Sequence, residues 1–417
     1  MTTMTMATRT QLALHVALAA LMAAGGAGAK VYIEFRPRVS LMGGYDDNVT
    51  LGYLPGSGSV GADSFGQVVP GLKLDLFGEH DLHLDLDCQA GIARLAHPQE
   101  FGLSSSAFAG NETCALGTKV HLSPRDRLLL KTSATYAQDP FSIAGLGLLL
   151  RPGQTQIFIA KFSGEVDHAL SSRTEIDYGL DTQALAFGQG DPGNGYIIAP
   201  SLKYAWRTSA RGKWDVGVRE QLFFGIGVKP DPANLRAPKG APGGLLDQAH
   251  SALLGYTYAL TPYAQMFVRG GGLLLTPGPS SAPGAQDIAQ PVVRFGIESY
   301  TPTTALSLTL AHDLVIGPST AGPLVGDIAE IGLVQQWQQL GAHFRLGMYR
   351  NASAFQQTQL GSLGYGGEAG LDWSFTRNVR LGIAAVRDAR LNDVQTAAQV
   401  DRDVVQLRLT WEKARFE

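Results

Sequence analysis

Residues 71–94 read GLKLDLFGEHDLHLDLDCQAGIAR, two runs of alternating apolar and polar residues on either side of a polar turn. A period of two predicts β-strands that each have one apolar and one polar face. A turn centred on residue 79 would place Leu76 opposite Leu82 on the apolar face. Such a hairpin fits a soluble sandwich, whose polar face meets water, and also a membrane barrel, whose apolar face meets lipid. The rest of the chain must distinguish these two folds.

The first 29 residues have the features of a cleaved secretory signal. Arg9 supplies a weak positive charge, residues 11–24 are mostly Leu, Ala and Val, and Ala27-Gly28-Ala29 fits the small-residue rule of signal peptidase. The apolar run is too short for a membrane anchor. We therefore expect Sec-dependent export and a mature chain over residues 30–417.

Composition excludes several classes of protein. The chain has 417 residues, long enough for two or three soluble domains, but no composition shift or long linker marks a boundary. Its 33 basic and 36 acidic residues give a net charge of −3, so no strong field favours nucleic acid. After the signal no apolar run reaches about 18 residues, which excludes helical spans but not barrel strands.

The connections between amphipathic segments alternate between long and short along the whole chain. Residues 31–411 can be divided into about 18 strands. Short polar turns such as 123–127 and 209–212 alternate with long segments such as 139–153 and 229–246. Transmembrane barrels have short periplasmic turns and long extracellular loops, whereas a soluble sandwich has no reason to keep this asymmetry. We therefore predict an all-β protein, one antiparallel transmembrane β-barrel of about 18 strands in the bacterial outer membrane.

The tryptophans and the last strand support this prediction. Every tryptophan lies within a few residues of a predicted short turn or of the C-terminus, as expected for an aromatic girdle at the periplasmic interface rather than for core aromatics; these are Trp206, Trp214, Trp337, Trp373 and Trp411. The apolar residues Val405, Leu407, Leu409 and Trp411 alternate with polar ones. This pattern resembles the C-terminal recognition strand of bacterial outer-membrane proteins, although here six further residues follow. The resemblance implies the barrel-assembly machinery as a partner.

No motif indicates catalysis, a cofactor or a metal. Residues 56–61, GSGSVG, match the dinucleotide pattern G-x-G-x-x-G, but no helix follows to bind a pyrophosphate. His80, Asp81, His83 and Asp85 are close in sequence, and a solvated rim or lumen explains them better than a metal site. We therefore predict no catalytic residue, no cofactor and no metal. Outer-membrane hydrolases hide their catalytic groups on barrel walls, so a hydrolase is kept as an alternative from another class.

Charged residues on the polar faces are predicted to line the lumen, and they are Lys73, Asp75, Asp85, Asp87, Glu165, Asp167, Asp177, Asp181 and Arg219. Acidic residues dominate the second, third, sixth and seventh strands, and basic residues are commoner in later strands. Segregated walls would create a transverse field across a pore, but any wet lumen also needs charges of both signs. Glycine-rich segments 52–66, 229–246 and 276–289 are the candidates for a constriction.

The two cysteines are too few for a disulfide scaffold. If the loop after the third strand is centred on residue 101, Cys88 faces Cys114 on the lipid side. A cross-strand disulfide is then one hypothesis, and two unpaired thiols are the other.

Two resemblances bear on function. Strand number and turn pattern resemble the porin superfamily over the whole mature chain. Residues 37–41 (PRVSL) and 44–49 (GYDDNV) resemble the opening strand of outer-membrane barrels associated with exopolysaccharide export. These resemblances imply a conduit or scaffold for polysaccharide export that works with a periplasmic export protein, with a diffusion porin for small polar solutes as the alternative. Outer-membrane lipid and lipopolysaccharide are further expected partners.

Overall fold

The computed structural model is one closed sheet of 18 antiparallel strands, so the predicted fold class is confirmed. Each strand pairs with its neighbours in sequence, and β1 closes the ring by pairing with β18. The structure describes residues 32–47, 62–78, 81–97, 108–137, 157–186, 194–225, 244–278, 286–315, 324–353, 361–391 and 400–413. Within these ranges no helix is long and apolar enough to cross a membrane.

The strands are long, from 12 to 18 residues, as a tilted membrane crossing requires. Their bounds are β1 Tyr32–Asp46, β2 Asp63–Phe77, β3 His83–Leu95, β4 Phe108–His121, β5 Asp126–Ala137, β6 Ile157–Ala169, β7 Thr174–Ala186, β8 Gly195–Arg207, β9 Gly212–Gly225, β10 Gly244–Thr261, β11 Ala264–Pro277, β12 Ile288–Tyr300, β13 Thr304–Val315, β14 Leu324–Gln336, β15 Leu340–Ser353, β16 Gly361–Ser374, β17 Val379–Leu391 and β18 Val400–Glu412.

The two ends of the barrel differ in their connections. At one end the turns are short, and β1 begins and β18 ends there. At the other end every connection is longer. By the usual architecture of such barrels, the end with short turns is periplasmic. Most residues of the long connections lie outside the described residues, as do the expected signal segment and most of the three glycine-rich segments.

Contacts between side chains show which face points inward. Arg38 on β1 contacts Asp87 on β3, and Lys213 on β9 contacts Glu175 on β7, so both pairs reach past an intervening strand. Side chains converge on the concave side of a closed sheet, and the charged face is therefore the lumenal one. The alternate residues form an outer face of exposed apolar side chains, Leu41 among them at 50%. An apolar outer face and a charged lumen are the features of a transmembrane barrel.

The register of the hairpin at residues 71–94 differs from the expected one. β2 and β3 pair Leu76 with Leu84, so the expected pairing with Leu82 is wrong by two residues. Between the two strands, the Gly78 amide donates to the Leu82 carbonyl at 2.9 Å. Asp81 has a φ of 54° there, in the left-handed region that Asp tolerates. A shift of two residues keeps every side chain on its predicted face, so the predicted fold class is correct although the predicted register is wrong.

Candidate functional site in the barrel lumen

Ion pairs between neighbouring strands cover the lumenal wall near β1. Arg36 on β1 contacts Asp75 on β2, and the Arg38 guanidinium donates from Nη1 to Oδ2 of Asp87 at 3.2 Å. Lys73 Nζ lies 3.6 Å from the same Asp87 oxygen. Two arginines on one strand therefore neutralise carboxylates on the next two strands.

A second set of pairs extends from β7 to β9. Lys203 Nζ lies 2.5 Å from Asp177 Oδ2, and Arg219 Nη2 donates to Asp181 Oδ2 at 2.9 Å. A cavity of about 260 Å³ opens on this wall and is lined by these four side chains together with Glu165. The acids are on β7 and the bases on β8 and β9, so charge is separated by strand but compensated within a few ångströms.

A third set lies on the opposite wall, on β14 to β16. Arg345 Nε donates to Glu330 Oε1 at 2.7 Å. His343 lies between two acids, with Nε2 3.2 Å from Glu368 Oε1 and Nδ1 3.6 Å from Asp372 Oδ2. Charges of both signs thus surround the lumen.

The strand register places all nine predicted lumen charges on this charged face. Five of the seven acids among them have a basic partner. Within the described residues, Asp85 and Glu165 have no ion pair. The predicted set omitted several partners, Arg36, Arg38 and Arg127 among them, although the period of two places each on the polar face. Only the register shows which charges meet.

Toward the extracellular end, the lumenal wall formed by β6 to β12 is mainly apolar, a feature that the predicted lumenal charges do not include. The residues concerned are buried, none more than 8% exposed, and they include Ile157, Ile159, Leu185, Ile197, Phe223, Leu273 and Val292. A signal existed in the sequence, because apolar residues there occupy consecutive positions, as in residues 157–159, 196–198 and 222–224. On these strands the lumenal wall thus changes from charged at its periplasmic half to mainly apolar at its extracellular half, whereas on β1 and β18 it stays charged, with Arg402 Nη2 2.6 Å from Asp46 Oδ2.

The five tryptophans lie near the periplasmic end, with Trp206 and Trp214 opposite each other across β8 and β9. Their ring centroids are 6.4 Å apart, and Trp214 also contacts Tyr256 at 4.7 Å. Trp337, Trp373 and Trp411 are 43–50% exposed. These rings lie where the apolar outer face meets the short turns, a position in which indole N–H groups reach water.

Near the extracellular end the outer face carries charged residues. His312 Nδ1 lies 2.8 Å from Asp327 Oδ1, and Arg387 donates to Asp403 at 2.8 Å and to Asp401 at 3.0 Å. These residues lie close to strand ends, at the level where polar headgroups begin. The apolar band of the outer face therefore stops before the strands do.

The outer face also carries the two cysteines. Cys88 on β3 is directly opposite Cys114 on β4, and a disulfide joins them. The bond therefore links neighbouring strands on the side that faces lipid.

Several solved structures match the chain over most of its length at low sequence identity. Pseudomonas aeruginosa OccK2 (OpdF), solved in complex with glucuronate, is 10% identical, with 92% of this chain and 98% of that chain covered and a TM-score of 0.47. A BenF-like porin from Pseudomonas fluorescens Pf-5 is 8% identical, with 92% and 99% covered and a TM-score of 0.47. The outer-membrane protein OpdK from Pseudomonas aeruginosa is 10% identical, with 91% and 99% covered and a TM-score of 0.42. No protein-family model and no curated protein matches the sequence.

Proposed function

We propose that the protein is a passive diffusion channel for small polar solutes across the outer membrane. The observation that carries this proposal is the closed 18-stranded barrel with charges of both signs on its lumenal face. Barrels of 16 to 18 strands are wide enough to leave an aqueous channel. Polar walls keep water in such a channel, and solutes exchange their hydration for contacts with the wall.

The pairing of charges predicts weak ion selectivity. Since Asp181 is neutralised by Arg219 and Glu330 by Arg345, an ion in the lumen meets neighbouring charges of both signs at similar distances. The opposite fields of each pair largely cancel at distances greater than the separation of its two charges, and salt screens what remains beyond about one Debye length, roughly 8 Å at physiological ionic strength. We therefore expect cations and anions to pass at comparable rates, with neutral sugars also admitted.

Reconstitution in planar lipid bilayers tests the proposal. We expect discrete open steps and a reversal potential close to zero in a salt gradient. Arg219→Gln should shift the reversal potential toward cation selectivity, because it leaves Asp181 without its partner. Arg387→Gln is the matched control: it also removes an arginine paired with aspartate, but on the outer face. A barrel without conductance, or an equal shift for both variants, would contradict a lumenal pathway for ions.

The same preparation distinguishes the other candidate functions. A conduit for polysaccharide export is favoured by the resemblance of residues 37–49 to export barrels. It would be closed alone and would conduct after addition of a periplasmic export protein. A hydrolase would cleave ester or peptide substrates in detergent. If substitution of a single nucleophile abolished that cleavage, hydrolysis would replace diffusion as the proposed function.

A further inference from the structure

We infer that Glu165, Asp167 and Asp177 form a binding site for a divalent cation of the calcium class on the periplasmic half of the lumenal wall. Asp167 on β6 is directly opposite Asp177 on β7, and Glu165 is two residues from Asp167 on the same face. One carboxylate oxygen from each residue lies within 4.8 Å of the others. Ca²⁺ binds oxygen at 2.3–2.6 Å, so two oxygens on one ion are up to about 5 Å apart. The carboxylates are therefore spaced closely enough to share an ion.

Each of the two aspartates uses only one carboxylate oxygen in its contact with a basic side chain. Asp167 accepts from Arg127 Nε at Oδ2, at 2.7 Å, and Asp177 contacts Lys203 through Oδ2. Oδ1, the other oxygen of each carboxylate, is buried and has no hydrogen-bond partner among the described residues. The Asp177 side chain is only 8% exposed. A buried carboxylate oxygen without a hydrogen-bond partner is unfavourable, so a cation bound to these two oxygens would stabilise them.

The charges of the cluster also favour a cation. Like charges directly opposite on neighbouring strands destabilise a sheet, and Asp167 and Asp177 are such a pair. Arg127 and Lys203 compensate two of the three carboxylates, while Glu165 has no ion pair within the described part of the chain. A net negative charge therefore remains beside two unpartnered oxygens.

The chemistry of the donors selects among metals. All three ligands are carboxylates, which suit hard cations and not the softer zinc or copper ions that prefer nitrogen and sulfur. Ca²⁺ accepts variable geometry and completes its shell with water, which the lumen supplies. Mg²⁺ demands near-ideal octahedral geometry at 2.0–2.1 Å, which three wall-mounted carboxylates are poorly placed to provide.

Equilibrium dialysis of the folded barrel in detergent against ⁴⁵Ca²⁺ tests the site. We expect one saturable site with a Kd of about 10⁻⁴ to 10⁻³ M, the range of partly solvated extracellular sites. Asp177→Asn should weaken binding at least about tenfold, as expected for loss of one charged ligand. Glu368→Gln, a lumenal carboxylate on the opposite wall, should bind Ca²⁺ like the wild type. This readout does not depend on whether the barrel conducts.

Two results would overturn the site: no saturable binding to the wild type, or unchanged binding in Asp177→Asn. A third result would also overturn the site: an infrared band of a protonated carboxyl group that disappears in Glu165→Gln and persists in saturating Ca²⁺. That band would mean that a proton shared with Asp167 stabilises the cluster. Heat-modifiable migration on gels checks the folding of each variant. If Asp177→Asn does not fold, Glu165→Gln gives the same test, because no ion pair is lost.

Discussion

Replacing both Cys88 and Cys114 with alanine is expected to lower the free energy of unfolding without changing the lumen. Both side chains are on the outer face, and the disulfide joins residues separated by 26 positions. In the chain-entropy description, closing a loop of this length removes about 12 cal/mol/K from the unfolded chain, or about 3.5 kcal/mol at 25 °C. The substitution itself removes only two small side chains, so most of the loss should come from the cross-link.

Reversible urea unfolding in lipid vesicles, followed by tryptophan fluorescence, measures this quantity. We expect the oxidised wild type to be more stable than the double variant by about 3.5 kcal/mol. Reduction should bring the wild type to the level of the variant and should leave the variant unchanged, which controls for effects of the reductant. Equal unfolding free energies under oxidising conditions would refute the reasoning. So would two reactive thiols in the denatured, unreduced protein.

Two further substitutions test the barrel wall. Gly271→Ala should destabilise the barrel by about 1–3 kcal/mol, because the added Cβ would meet the Ala252 carbonyl oxygen. The neighbouring Gly272→Ala has open space and should be neutral. Urea unfolding compares the stabilities of the two variants. Trp214→Ala should lower stability by roughly 1 kcal/mol or more, because its contacts with Trp206 and Tyr256 are lost. A blue-shifted fluorescence of the remaining tryptophans in vesicles would check that the girdle stays at the interface.

The sequence predicted the faces of the strands well and their partners poorly. Faces depend only on the period of two, which any register shift by two residues preserves. Partners depend on the length of each turn. The turn at Gly78–Leu82 shows the difference, since moving its centre by one residue replaces Leu82 with Leu84 opposite Leu76. The pairing of Cys88 with Cys114 depends on the assumption that the loop after the third strand is centred on residue 101. The register of β3 and β4 has the same centre.

The acidic cluster could not be found from spacing for the same reason. Asp167 and Asp177 are ten positions apart, and Arg127 is 40 positions from Asp167. None of the familiar metal motifs combines carboxylates at this spacing. Here the ligands are on two strands, and only their register brings them together. The sequence therefore predicts carboxylates on the lumenal wall but not which of them share a ligand.

The arrangement of lumenal charges limits which residues can control ion passage. Where a carboxylate is paired, as Asp181 is with Arg219, the pair acts on a passing ion mainly as a dipole, whose field falls faster with distance than that of a charge. In the part of the chain that the structure describes, Glu165 has no such partner, and it lies beside Asp167 and Asp177, whose charges Arg127 and Lys203 compensate. A Ca²⁺ bound there would change the net charge of the cluster from −1 to +1. If both proposals hold, selectivity depends on the lumenal carboxylates that lack a basic partner in the described ranges, this cluster and Asp85 among them, more than on the number of lumenal charges. The contribution of the cluster varies with the concentration of divalent cations.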